Sequence, residues 1–404
     1  MSLICPFRAL RPKREHAAGV SSVPYDVVNT EEARSLASGK PLSFLHVTRS
    51  EIDFPPGTDP YSAPVYAKAR ENLDALRRTA LIVEDEPSLY FYRLRMGGHE
   101  QTGIAACFSL DEYDRDLIKK HERTRRDKED DRTRHMIALG AQTGIVFLTY
   151  KTNDTIDRLA RAVTADAPLY DFRADDGVHH TVWKAGSKES GALVDAFRTI
   201  PALYIADGHH RAASAARART ELRQRGEGGE AETFIAVAFP STQVQILPYN
   251  RTVKDLAAQT PDAFIAELRR RVPVRDGSPT PRRKGDVSMY VSGRWYSVDL
   301  SSAAPADASR ASSLDVALLQ HHVLEPLLRI GDVTTDKRID FVGGARGTSA
   351  LERALDSGQA AAAFSMHPVT IDDLMAISDD GGIMPPKSTW FEPKLRDGLL
   401  VHLI

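Results

Sequence analysis

The run Tyr204-Ile205-Ala206-Asp207-Gly208-His209-His210-Arg211-Ala212-Ala213-Ser214 sets an apolar strand, a glycine break and a basic, Ala-rich helix in direct succession. That order suits phosphate binding. A glycine at the break lets backbone N–H groups approach an anion, and the helix that follows turns its unpaired N–H groups and positive dipole end to the same place. Arg211 adds a two-pronged donor for phosphate or carboxylate. The same residues also fit a tight strand-to-helix turn with two surface histidines, because one glycine loop is a weak signal. Asp207 reads as a helix cap or as a water-mediated Mg2+ ligand.

A second constellation is His121-Glu122-Arg123-Thr124, in a charge-rich stretch expected to be helical over roughly residues 111–140 and to face water or a polar cleft. It reads either as part of a solvated helix held by paired charges or as a cleft entrance with Glu122 as general base and its arginine neighbours on phosphate. One helical turn on, where a zinc peptidase needs a second histidine, stands Arg125, so that chemistry is disfavoured. Near the C-terminus Pro385-Pro386 stiffens the backbone ahead of Lys387, Ser388 and Thr389. A lysine beside two hydroxyls suits a phosphate or a small polar substrate; the plain alternative is a proline-rich lead-in to an edge strand. The pairs His179-His180 and His321-His322 read as structural, since adjacent helical residues project about 100° apart and do not readily chelate one ion. No nucleophile elbow, Walker loop or Gly-x-Gly-x-x-Gly turn occurs.

These groups need elements to hold them. The chain has 404 residues, 42% of them apolar, enough for one large core or two to three ordinary ones. Lys plus Arg (53) nearly cancels Asp plus Glu (55), which argues against nucleic acid and anionic membrane as partners. No apolar run of about 18 residues occurs and the first residues lack a leader pattern, so the expected location is the cytoplasm. Cys5 and Cys107 are too few for a disulfide framework.

The pattern predicts mixed α/β or α+β structure. Residues 1–110 read as a mixed region with a helix capped at Asn29-Thr30-Glu31-Glu32 and a hairpin across Gly97-Gly98. Residues 111–248 hold the strands around 145–150 and 233–239 and the Asp-Gly-His-His-Arg turn. Residues 249–404 form a third region, with a helix at Pro261–Arg271, a basic linker at 275–285, a hairpin across Ser292-Gly293, a helix through Leu314–Leu328 and a loop at Phe341-Val342-Gly343-Gly344.

Cys5-Pro6-Phe7-Arg8-Ala9-Leu10, Pro24-Tyr25-Asp26-Val27, His46-Val47-Thr48-Arg49-Ser50-Glu51, Lys120-His121-Glu122-Arg123-Thr124, Ala206-Asp207-Gly208-His209-His210-Arg211, Leu247-Pro248-Tyr249-Asn250-Arg251 and Met384-Pro385-Pro386-Lys387-Ser388-Thr389-Trp390-Phe391 together resemble the bacterial "domain of unknown function 1015" family over essentially the whole chain. That resemblance supplies no reaction. More distantly, the Asp-Gly-His-His-Arg turn is similar to the nucleotide-binding turn of the ParB and sulfiredoxin-like fold, which includes kinases of free L-serine. The likeness implies a nucleotide-binding core with N- and C-terminal elaborations.

Within that fold, sulfiredoxins carry a cysteine where this chain has His209, and segregation-type ParB proteins add a DNA module not visible here. The kinase branch fits best. It implies an ATP- or ADP-dependent phosphotransferase that uses Mg2+, with Asp207 as its candidate ligand, to make O-phospho-L-serine. His121 and Glu122 would stand as the catalytic pair with Asp207, and Gly208, His209, His210, Arg211 and Thr124 would hold the nucleotide phosphates. Thr48, Arg49, Lys387, Ser388 and Thr389 would hold the substrate. The implied partners are a nucleotide and a small metabolite, with a homodimer as an admitted assembly. The alternatives are a non-catalytic nucleotide-binding switch and a phosphatase or NTP hydrolase.

Overall fold

The computed structural model describes residues 3–303 and 308–404. Met1 and Ser2, part of the segment read for a leader, lie outside the described residues. The chain forms two compact units, one of residues Met1–Val244 with Pro393–Ile404, the other of Gln245–Glu392. The fold is mixed α/β.

The first unit is built on a sheet of nine strands among the described residues. Its order is Ile118–Lys119, Leu203–Asp207, Val146–Tyr150, Thr233–Pro240, His99–Ser109, Tyr90–Met96, His179–Lys184 and Tyr170–Arg173, with Ile4–Cys5 also paired to His99–Ser109. Strands from residues 1–110 and from 111–244 therefore share one sheet. The central strands are near-continuous apolar runs, as a sheet covered on both faces requires. Phe108, Leu148, Ile205, Phe234 and Ala236 are at most 1% exposed. The hairpin across Gly97-Gly98 forms as its glycines predict, with Met96 opposite His99. The capping box at Asn29 is complete: Asn29 accepts from the Glu32 N–H and Glu32 accepts from the Asn29 N–H.

The expected helix over 111–140 is broken. Leu110–Asp114 forms one short helix, Asp116 turns left-handed at φ 61°, and Leu117-Ile118 is drawn to the sheet edge, where the Leu117 carbonyl accepts from the Leu203 N–H. The next helix, Arg126–Leu139, is solvated on one side only, with Arg126, Asp127, Lys128 and Arg134 exposed. It packs between Ala63–Thr79 and His209–Gln224 and buries Asp131, Thr133 and His135. On the other side two charges are matched inside the protein: Asp131 accepts from Tyr66 Oη at 2.8 Å and pairs with Arg132, whose guanidinium lies 4.3 Å from the centre of the Tyr25 ring.

In the second unit the main sheet has six strands among the described residues, in the order Val274–Asp276, Arg294–Asp299, Asp286–Val291, Ala362–Ser365, Tyr249–Val253 and Ile339–Gly343. The hairpin across Ser292-Gly293 and the helix Pro261–Arg271 form as read. Two readings change here. Phe341–Gly343 is strand rather than loop, because it pairs with Tyr249–Arg251. The helix from Asp315 to Leu328 carries a π-turn at Gln320–Leu324. No helix among the described residues is long and apolar enough to cross a membrane.

Candidate functional site

The strand Leu203–Asp207 ends beside a register shift against Val146–Tyr150, between Ile205 and Asp207, and such a bulge re-aims the side chain that follows it. Gly208 then takes φ 98°, the left-handed conformation that lets the helix His209–Gln224 start at once. A Cβ here would also stand 3.4 Å from the Val146 Cα. Gly208, not Asp207, is the residue at the cap position, and no side chain caps the first turn. Ala212, Ala215 and Ala218 lie on the buried face of the helix at 1% exposure or less.

Helix and sheet edge bring His209 against His121, their ring centres 4.4 Å apart in an edge-to-face arrangement. His209 Nε2 accepts from the His121 backbone N–H at 3.3 Å, which leaves the proton on Nδ1. That Nδ1 stands 3.7 Å from Glu122 Oε2. Burial, with Asp207 opposing it, lowers the His209 pKa to about 3, so the ring is neutral and the contact is no ion pair. His121 is lowered to about 3 by burial and by His209, and neither of its ring nitrogens has a hydrogen-bond partner among the described residues. His210 Nε2 accepts from the Arg125 N–H at 3.0 Å. Of the two histidines of the turn, His209 is therefore not a surface residue, at 4% exposure, and His210 is half-buried.

Asp207 accepts from Lys394 Nζ at 3.1 Å. Burial raises its pKa, but Lys394 and Arg211 outweigh this and hold the carboxyl well below the usual range. Arg211 is 4% exposed and is occupied: it donates to both oxygens of Asp26, at 2.7 and 2.5 Å, and to the Ile145 carbonyl at 2.7 Å. A guanidinium so held fastens the turn to the Pro24-Tyr25-Asp26 segment instead of standing open for phosphate. Asp397 lies nearby, 2% exposed, with Oδ2 unpartnered, and burial pushes its pKa up to about 7.

His121, Glu122, Asp207, Gly208, His209 and His210 thus come together with a free helix start, while Thr124, Thr48 and Arg49 of the same unit are engaged by other partners. Thr124 Oγ1 donates to Glu129 at the start of Arg126–Leu139. Thr48 is buried with its hydroxyl on the Phe44 carbonyl, and Arg49 binds Glu51 at 3.0 Å and Thr30 at 3.1 Å. Lys387, Ser388 and Thr389 belong to the second unit, where Ser388 Oγ donates to the Pro385 carbonyl at 2.6 Å. Sequence reasoning missed Asp26, Lys394 and Asp397 as partners of the turn. The only signal was their presence in or beside the motif runs.

The fold and site define a mixed α/β protein with a glycine-initiated helix beside a neutral histidine and two carboxylates. The chain belongs to the family described as protein of unknown function (DUF1015), whose model matches residues 4–317. No curated protein matches it. Solved structures similar to it include SbnI with a C-terminal truncation from Staphylococcus aureus, 12% identical over 74% of this chain and 87% of that one, at a TM-score of 0.40. A free serine kinase in complex with AMP is 12% identical over 73% and 91%, at 0.38. A conserved hypothetical protein from Pyrococcus furiosus is 13% identical over 74% and 95%, at 0.37.

Proposed function

We propose that this protein is a cytoplasmic, nucleotide-dependent kinase of a small hydroxylated metabolite, L-serine first, built on a ParB/sulfiredoxin-like core. The observation that carries the reading is the uncapped start of the 16-residue helix at Gly208, with the Glu122 carboxylate 3.7 Å from the neutral His209 ring. Free N–H groups of the first turn receive the phosphates of ATP or ADP. Glu122, 36% exposed at its side chain, orients or deprotonates the attacking hydroxyl, and His209 Nδ1–H steadies that carboxylate. Arg211 acts at one remove, by fixing the turn through Asp26.

Mg2+ characteristically takes one or two carboxylates plus substrate phosphates. Among the described residues no group of three or more His, Cys, Asp or Glu side chains could cage a metal, but Asp207 is a suitable single ligand once the nucleotide competes for Lys394. Bound there, the ion would neutralise phosphate charge.

The test is purified protein with Mg2+, ATP or ADP and a panel of hydroxy metabolites including L-serine, with products followed by phosphorus NMR and mass spectrometry. Phosphoserine formation that falls about 10²-fold or more in E122Q with the fold intact is the expected result. Unchanged turnover in E122Q removes Glu122 from the mechanism. Saturable nucleotide binding without any phosphorylated product would instead favour a nucleotide-binding switch.

A further inference from the structure

In the second unit two segments singled out in the sequence, Leu247–Arg251 and Met384–Phe391, meet on the short strand pair Ile246–Leu247 and Trp390–Phe391. Tyr249 packs against Trp390 with ring centres 4.9 Å apart and against Phe341 at 5.6 Å. The indole of Trp390 lies so close to Gly343 that a Cβ there would sit 2.5 Å from it.

Two cations are held in this aromatic surround. Arg251 is 2% exposed, lies 5.6 Å from the centre of the Phe341 ring and donates only to the carbonyls of Tyr249 and, at 2.9 Å, Lys387. Lys387 is exposed, its Nζ 5.7 Å from the Tyr249 ring and 5.9 Å from that of Phe341. Neither forms an ion pair among the described residues. A buried guanidinium without a carboxylate is costly, and ring faces and carbonyl dipoles offset only part of a full charge.

The backbone gives a second, independent sign. Lys387 holds φ 59°, the left-handed region that a non-glycine residue enters at a cost, and the Arg251 bond to its carbonyl keeps it there. Such strain persists where the surrounding structure over-determines it, and it clusters at ligand clamps. Here it sets the ammonium beside the two rings.

We propose that Arg251, Lys387, Tyr249, Phe341 and Trp390 form an anion site in the second unit that takes a phosphate dianion, free or as a monoester. Two unmatched positive charges balance a group carrying about −1.5 to −2 charges near neutral pH, and a single carboxylate would leave one cation uncompensated. Lys387 makes the contact. Arg251 is a positioning residue that supplies field and fixes the lysine backbone. This site goes beyond the kinase reading and does not rest on it.

The 404-residue chain grown with 5-fluorotryptophan carries three reporters, Trp183, Trp295 and Trp390. Fluorine NMR during titration with inorganic phosphate should show a saturable shift of the Trp390 resonance, identified by its loss in W390F. K387G should weaken that response about tenfold or more and unfold at an equal or higher temperature, since glycine carries the same backbone without strain. Acetate at equal ionic strength should leave the resonance in place. Glycerol phosphate in parallel separates the two sources: tighter binding than inorganic phosphate assigns a monoester, equal or weaker binding assigns free phosphate. A Trp390 resonance that ignores both phosphates, moves equally with acetate or responds unaltered in K387G overturns the site. Because this readout is local to Trp390, it fails or succeeds separately from phosphoserine formation.

Discussion

Arg211 in the first unit and Arg251 in the second are buried alike, at 4% and 2% exposure, but they sit in opposite electrostatic settings. Arg211 grips both oxygens of Asp26 and has Asp207 and Asp397 in its field; against the cost of burial these acids raise its pKa well above the ordinary value. Among the described residues Arg251 meets only carbonyls and rings, and burial lowers its pKa to about 10. Equal burial thus accompanies two different jobs. The matched arginine is a strut that closes the turn on its N-terminal partner. The unmatched one keeps a positive field available to something else.

The largest expected effect comes from unmatching the matched one. Asp26→Ala leaves Arg211 buried without its paired acid, and stability should fall by about 3 kcal/mol, the lower end of the usual range because Asp26 is itself partly exposed. Urea unfolding of the variant measures this, and a loss under 1 kcal/mol would refute the strut.

A second probe is Asp397, whose acid the fold prefers in its protonated form. Because burial raises its pKa from 3.8 to about 7, its contribution to stability is full below about pH 4, is lost as pH rises toward 7, and stays lost above that. Asp397→Asn should remove this loss, so its melting temperature relative to the parent should rise between pH 4 and 8. A difference flat across that range would contradict the assignment.

Gly208→Ala should cost about 1–2 kcal/mol, the penalty for a side chain in the left-handed region. It should also weaken nucleotide binding in a calorimetric titration, because the helix start must shift. Smallest, and of opposite sign, is Lys387→Gly. Relief of its backbone strain should stabilise the second unit by up to about 1 kcal/mol, visible in differential scanning calorimetry. A destabilised variant would mean that the lysine side chain contributes more than the strain removes.

What was legible in the sequence is what neighbouring residues decide between themselves. Gly208 announces a break because its φ suits few other residues, Asn29 and Glu32 cap each other three positions apart, and Gly97-Gly98 close a hairpin. What stayed hidden depends on distant parts of the chain. The charges of Arg126–Leu139 read as solvated because Tyr25 and Tyr66, which receive Arg132 and Asp131, lie far away in sequence. The 111–140 pattern concealed an edge strand because Ile118-Lys119 becomes one only when Leu203 and Tyr204 are alongside. Arg211 read as a phosphate clamp because its acid is 185 positions away.

The segment Pro393–Ile404 belongs to the first unit although the whole second unit precedes it in the chain. It brings Lys394 to Asp207, sets Asp397 near Arg211, and pairs Val401 with Leu10 and His402 with Gln142. During synthesis the second unit is therefore complete before the first can close. Until residue 394 has been made, the carboxylate next to the glycine turn lacks its lysine. The segment that follows the second unit thus acts as a closing clasp, and assembly of the candidate site waits on residues made after that unit.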